Sequence, residues 1–159
     1  MNQNLYHIAL VTHIIGITVA AGAALSSYII TRQFWKQYAY DKRKAQSVQE
    51  TIAAFRLLPR IGLLLLILSG VSMMALTKGV FGEQIWFRIK FGLVLIIIVH
   101  GIVMGRRQVT KLKKILAREA IGEQVDVQLL KIKGSLNRFH IIQISLFITV
   151  FVLSVFKFN

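Results

Sequence analysis

Four long segments without a charged side chain constrain this chain more than any other feature of its sequence. A helix that spans a lipid bilayer needs roughly 20 mostly apolar residues, and flanking Arg and Lys side chains can complete a shorter run by reaching the interface. The charge-free segments are residues 1–31, 61–77, 91–105 and 139–156. With their flanks they predict transmembrane helices at about 5–31, 57–77, 85–105 and 139–157.

We predict an all-α fold: a single integral-membrane domain of residues 1–159, built as a four-helix bundle with helices 2, 3 and 4 extended into the cytoplasm. The alternative is a soluble bundle, but its helices would carry polar faces along their whole length. Residues 47–50 fit a capping box at which helix 2 would begin, and Pro59 is expected to bend that helix. Helix 3 is predicted to continue to Gly122, because no helix-breaking residue interrupts it earlier.

The distribution of basic residues predicts the orientation of the chain. Most of the 20 Lys and Arg residues lie in the connections after helices 1 and 3, and such connections face the cytoplasm by the positive-inside rule. We therefore expect a multi-pass protein of a bacterial-type inner membrane, with both termini outside. The basic connections are expected to attract anionic lipid, at about 1 kcal/mol per cation. Nucleic acid is not an expected partner, because no aromatic residues are interleaved with the cations in a recognisable motif.

Two absences narrow the chemistry. The chain has no Cys, which excludes disulfides, thiolate zinc sites and Cys nucleophiles. None of the four apolar segments contains Asp or Glu, which argues against a carboxylate proton relay or a carboxylate metal site within the membrane. Chemistry at membrane depth is therefore expected to centre on histidine.

Ionisable side chains at membrane depth are candidate functional groups, because burying them in lipid is costly. His13 shares one face of helix 1 with small side chains, which mark helix contacts in membranes, so His13 is expected to face the bundle. His100 and His140 are expected at nearly the same depth, whereas His7 is expected at the membrane surface. Cations at comparable depths are Arg56 and Arg60 on helix 2, and Arg88 and Lys90 on helix 3.

Histidines inside a membrane bundle suit a haem. Neutral imidazole is a good axial ligand for haem iron, and a four-helix bundle can hold a porphyrin between its helices. His13, His100 and His140 are the predicted iron ligands, and Arg60 and Arg88 are predicted to bind the haem propionates. An alternative stays open at this point, in which each His only hydrogen-bonds a neighbouring helix.

Several short motifs, spread over most of the chain, resemble one family. They are His13-Ile14-Ile15 and Ala21-Gly22 in helix 1, Arg56-Leu57 and Pro59 in helix 2, Trp86-Phe87-Arg88-Ile89-Lys90 and His100-Gly101 in helix 3, and Arg138-Phe139 in helix 4. With these motifs the sequence resembles the HemJ-type protoporphyrinogen oxidases, within the CopD-like group of four-helix membrane proteins.

The resemblance implies a protein that binds haem b. Its functional positions would be His13, His100, Lys90 and Arg56, with catalytic roles for His13, Lys90 and Arg56. The implied reaction is the six-electron oxidation of protoporphyrinogen IX, with the electrons passed to quinone or the respiratory chain. A porphyrin or a quinone is thus the expected small-molecule partner, and homo-oligomer formation is left open.

A non-enzymatic function is the alternative. The chain would then be a CopD-like copper-handling protein or an accessory membrane subunit. Met73, Met74 and Met104 would be soft ligands for Cu(I), although Met in a helix bundle more often fills gaps in the packing.

Overall fold

The structure, a computed structural model, describes residues 3–42, 44–45, 47–48 and 57–156 of the chain. Within these residues four helices follow one another: α1 (Gln3–Tyr38), α2 (Leu57–Leu76), α3 (Ile85–Ala120) and α4 (Asp126–Val155). The described residues contain no β-strand, and all four helices are long and apolar enough to cross a membrane. The predicted all-α four-helix bundle is confirmed, and the helices are those of a multi-pass membrane protein.

Three of the helices are longer than a bilayer requires. α1 and α3 have 36 residues each and α4 has 30. At 1.5 Å per residue, 36 residues measure about 54 Å, against roughly 30 Å for the hydrocarbon core. The extra turns pack together at one end of the bundle, termed the basic end (residues 32–48 and 106–138). Long extensions of helices 3 and 4 were predicted, whereas the extension of α1 beyond residue 31 was not.

The connection between α1 and α2 is only partly described. Arg56 lies outside the described residues, as does most of the predicted extension of helix 2. Ser47 is described, and its hydroxyl donates to the carbonyl of Lys44 at 2.8 Å. The predicted capping box at residues 47–50 depends on residues 49 and 50, which lie outside the described residues. Pro59 lies in α2 close to residues outside the described part of the chain, so the predicted bend at Pro59 stays a prediction.

In the membrane-spanning half, one cluster of buried side chains joins all four helices. Its members are Ile17, Ala20, Leu66, Ile97, Phe147 and Val150. α1 and α2 approach one another closely at Gly16 and Gly62. A Cβ at Gly62 would lie 2.6 Å from the backbone N of Ala20, and a Cβ at Gly16 would lie 2.7 Å from the backbone N of Leu66. Glycine at both positions therefore allows the backbones to touch, as small residues do in other membrane helix pairs.

A second buried cluster stabilises the basic end. It is formed by Phe34 of α1, Leu112 of α3, Ile132 and Leu136 of α4, and Ala45 from the segment after α1. Phe34 is only 1% exposed, although it lies between basic residues in the sequence. The basic end is therefore a packed part of the fold with its own apolar core.

A polar link closes the basic end beyond the membrane-spanning segments. Glu119 of α3 accepts hydrogen bonds from the Tyr38 hydroxyl and, at 2.5 Å, from the Lys42 ammonium group. Burial raises the pKa of the Glu119 carboxyl, but the hydrogen bonds from Lys42 and Tyr38 outweigh it and hold that pKa below its ordinary value. Burial and the bond to Glu119 both raise the pKa of the Tyr38 hydroxyl, which stays protonated at neutral pH.

The Glu119 link predicts a pH dependence of stability. Because the carboxyl pKa is lower in the folded chain, its stabilising contribution is fully present above the unfolded value of about 4.5 and is lost as the pH falls through the folded value. Lys42 is largely exposed, so the expected contribution is about 0.2–1 kcal/mol. Thermal unfolding of the detergent-solubilised protein should show Glu119→Gln destabilised at pH 7, with a smaller difference from the wild type near pH 3. An equal difference at both pH values would contradict this account, and Glu123→Gln, in the more exposed pair with Arg118, is the control.

Candidate functional site

His13 is held against α2 by a buried hydroxyl. Its Nδ1 lies 3.1 Å from the Oγ of Ser69. The Ser69 hydroxyl donates its own hydrogen to the carbonyl of Leu65 at 2.5 Å, so its oxygen accepts from the N–H of His13 Nδ1. The Nε2 of His13 therefore carries a lone pair. The predicted inward orientation of His13 agrees with this contact, and the ring packs beside Gly70, where an added Cβ would lie in ordinary contact at 3.5 Å from His13 Cε1.

Lys90 belongs to the same region of the bundle as His13. Lys90 lies half-buried on α3, and its ammonium group interacts electrostatically with His13 on α1. Two side chains that the family resemblance implies to be functional are thus brought together from helices far apart in the sequence. The Lys90 cation in this region can attract an anionic group.

His100 is held by Gln143, a buried amide within the fourth apolar segment. The Nε2 of Gln143 donates to the carbonyl of Ile97 at 3.2 Å. Its Oε1 then accepts from His100 Nδ1 at 2.7 Å, so the Nε2 of His100 also carries a lone pair. The ring of Phe139 stacks on the His100 ring, with centroids 5.0 Å apart and planes 21° apart. Hydrogen bond and stacking together fix the orientation of the imidazole.

An apolar groove on the outer face of α3 includes His100. The groove has a volume of about 420 Å³ and is lined by Leu95, Ile96, Val99, His100, Val103 and Met104. Ligand sites are typically clefts of roughly 300–1,000 Å³ with apolar walls and a few placed polar groups. Among the described residues, the hydrogen bond of the His100 ring runs through Nδ1. All six lining residues belong to α3, so the groove is an open apolar face of one helix that includes the oriented His100 ring.

His140 has a different arrangement, because its Nε2 is engaged. This nitrogen lies 3.1 Å from the Oγ1 of Thr31 on α1, and the ring is 7% exposed. His140 and His100 both contact the ring of Phe139, so they lie at similar depths, as predicted. With its usual ligating nitrogen used for an α1–α4 contact, His140 acts in this structure as a tie between helices.

The two predicted propionate ligands, Arg88 and Arg60, and the predicted surface residue His7 are all exposed. Arg88 is exposed and its Nε donates to the carbonyl of Gly82 at 2.9 Å, within the turn between α2 and α3. Arg60 is exposed at the start of α2. His7 is exposed beside Tyr6 near the start of α1.

The three bundle histidines tie three different pairs of helices, so the alternative in which each His hydrogen-bonds a neighbouring helix describes all of them. The described residues contain no group of three His, Cys, Asp or Glu side chains that could hold a metal ion by themselves. Sequence reasoning missed Ser69 and Thr31 as partners. In the sequence each is a hydroxyl-bearing residue within an apolar segment. Such residues are too common in apolar segments to be identified as histidine partners.

Comparisons of the chain with protein-family models, with curated proteins and with solved structures give no match. The resemblance to HemJ-type proteins therefore rests on the short sequence motifs alone.

Proposed function

We propose that the chain is a membrane oxidoreductase that binds haem b through His100. The observation that carries this proposal is the hydrogen bond from His100 Nδ1 to Gln143, which leaves the Nε2 lone pair available. Histidines that bind metals almost always donate their other ring N–H to such a partner, which fixes both tautomer and ring orientation. His13, held by Ser69 in the same way, is a second candidate for an axial ligand.

The surroundings of His100 suit a haem. The groove is apolar, its volume of about 420 Å³ lies in the range of ligand sites, and Phe139 holds the imidazole from one side. The thioether of Met104, also in the groove, is a further side chain of the kind that ligates haem iron. When bound, haem b supplies one-electron transfer within the membrane.

His13 and Lys90 are the groups proposed to receive the substrate. Lys90 attracts an anionic group such as a porphyrin carboxylate, and His13 lies in the same region. Oxidation of protoporphyrinogen IX to protoporphyrin IX releases six electrons and six protons, and three quinones reduced to quinols take up the same number of each. The family resemblance also implies a role for Arg56, but Arg56 lies outside the described part of the chain.

The location follows from the charge distribution. The basic end carries most of the Lys and Arg residues of the chain, and it is proposed to face the cytoplasm of a cell with a bacterial-type inner membrane. Both termini would then lie on the outer side of the membrane, and His13 and Lys90 would lie in the outer half of the membrane.

A haem titration tests the proposal. The protein, purified in detergent, is titrated with haemin and then reduced with dithionite. We expect a Soret band that saturates with added haemin and the sharp absorption bands of a six-coordinate b-type haem after reduction. A spectrum identical to that of haemin in the same detergent would overturn the proposal. His7→Ala is the matched control and should bind haem like the wild type, because His7 is exposed and far from the groove in sequence.

One observation favours a second candidate, the handling of Cu(I). His100 and Met104 line the same groove, and imidazole with thioether is a donor set that Cu(I) accepts. Titration with Cu(I) against a coloured chelator distinguishes the two functions. If both His100→Ala and Met104→Leu abolish copper binding while the wild type binds no haem, the copper function replaces the haem function.

A further inference from the structure

A second cavity lies at the basic end, between the extensions of α3 and α4. Its volume is about 820 Å³. Its polar lining includes Gln108, Lys111, Lys131, Ser135 and Arg138. None of the histidines lines this cleft, so it is separate from the site proposed above.

Gln108 is buried in the wall of the cleft with one half of its amide unpaired. The side chain is 5% exposed. Its Nε2 donates to the Oγ of Ser135 at 2.5 Å, but its Oε1 is buried and has no hydrogen-bond partner among the described residues. Buried carbonyl oxygens in folded proteins are nearly always paired. The unpaired oxygen therefore indicates a missing hydrogen-bond donor in the cleft.

Three cations line the same cleft without a partner of opposite charge. The ion pairs of the described residues are Lys42 with Glu119 and Arg118 with Glu123, and neither includes Lys111, Lys131 or Arg138. Cations that line one cleft without counter-ions favour an anion, and phosphate is an anion that both Arg and Lys bind in proteins. The missing ligand thus combines a negative charge with a hydrogen-bond donor.

The position of the cleft favours a lipid over a soluble molecule. Gln108 lies three residues beyond the predicted end of the third apolar segment at residue 105, which is about 5 Å along the helix. The headgroup layer of a bilayer is roughly 5–7 Å thick on each side, so a lipid phosphate reaches this level. Ile115 and Leu130 add apolar surface to the cleft, and Leu130 is 71% exposed.

We propose that this cleft binds an anionic phospholipid whose headgroup carries a hydroxyl group, as in phosphatidylglycerol. Lys111, Lys131 and Arg138 bind the phosphate, and a headgroup hydroxyl donates to the Oε1 of Gln108. Clusters of basic residues at the inner face of a membrane bind anionic lipid in general. The unpaired Gln108 oxygen adds selectivity among anionic lipids, which charge alone does not provide.

Two lipids of equal charge, one with headgroup hydroxyls and one without, test the proposal. The full chain in neutral detergent is titrated with phosphatidylglycerol or with phosphatidylmethanol of the same acyl chains, and bound lipid is counted by native mass spectrometry. Both lipids carry the same phosphodiester charge. We expect the wild type to bind phosphatidylglycerol about tenfold more tightly, the effect of roughly one hydrogen bond. Equal binding of the two lipids would overturn the proposal.

Variants separate the hydrogen bond from the charge. Gln108→Leu should bind phosphatidylglycerol only as well as phosphatidylmethanol, and its affinity for phosphatidylmethanol should be unchanged. Ser135 can then hydrogen-bond its own helix backbone. Lys131→Gln should lower the affinity for both lipids equally. Lys113→Gln, which changes an exposed cation outside the cleft, should lower the affinity for neither. A preference that survives Gln108→Leu contradicts the role of Gln108, and full displacement of lipid by soluble glycerol 3-phosphate would identify a soluble ligand instead.

Discussion

Replacing Gly62 by alanine is expected to destabilise the protein strongly, although the change adds only one methyl group. The new Cβ would lie 2.6 Å from the backbone N of Ala20 and 2.9 Å from the carbonyl O of Gly16. Neither atom belongs to a flexible side chain, so α1 and α2 have to move apart. Forcing extra atoms into a packed interface costs about 1–3 kcal/mol, occasionally more, and the upper part of that range is expected for Gly62→Ala.

Thermal unfolding of the detergent-solubilised variants measures this effect. Gly92→Ala is the matched control, because a Cβ at Gly92 on α3 meets nothing within 4 Å, and alanine favours a helix over glycine. We expect Gly62→Ala to unfold well below the wild type, and Gly92→Ala to equal or exceed it. If both variants unfold at the same temperature, the described contact between α1 and α2 is wrong.

Removing the His100 imidazole is expected to have the largest effect on haem binding. In the proposed function its Nε2 is the iron ligand, so His100→Ala should lose the bands of a six-coordinate b-type haem almost completely. Gln143→Leu keeps the imidazole but removes the group that orients it. Loss of such an orienting partner costs metal sites roughly 10–100-fold in affinity or activity, so weaker haem binding is expected for this variant.

The measurement is the haemin titration, with folding checked by the unfolding temperature of each variant. His140→Ala provides an informative comparison, because its Nε2 is engaged by Thr31. It should lower stability, through loss of the α1–α4 contact, without removing the haem spectrum. Retention of a wild-type spectrum in His100→Ala, together with its loss in His140→Ala, would reverse the assignment.

The spanning helices could be predicted from the sequence because a bilayer imposes a length on each apolar segment. All four predicted apolar segments lie within helices. The extension of α1 could not be predicted in the same way. Arg32 and Lys36 look like a polar connection, and the packing of Phe34 against α3 and α4 that stabilises the extension depends on partners distant in sequence.

The site was predictable in its residue types but not in its pairing. An inward His13 followed from the small residues on the same helix face, and Lys90 lies near it. Which helix each histidine would contact depends on the arrangement of the bundle, which hydropathy does not encode. For the same reason the sequence grouped three histidines as ligands, whereas the structure leaves the Nε2 lone pair available in His13 and His100 and engages Nε2 in His140.

Rescue of His100→Ala by free imidazole tests the central claim most directly. If His100 Nε2 binds the iron in the α3 groove, the variant should lose the six-coordinate haem spectrum, and millimolar imidazole should restore it in the space left by the side chain. His7→Ala should show the full spectrum without imidazole. A His100→Ala variant that binds haem with the wild-type spectrum in the absence of imidazole would contradict the account.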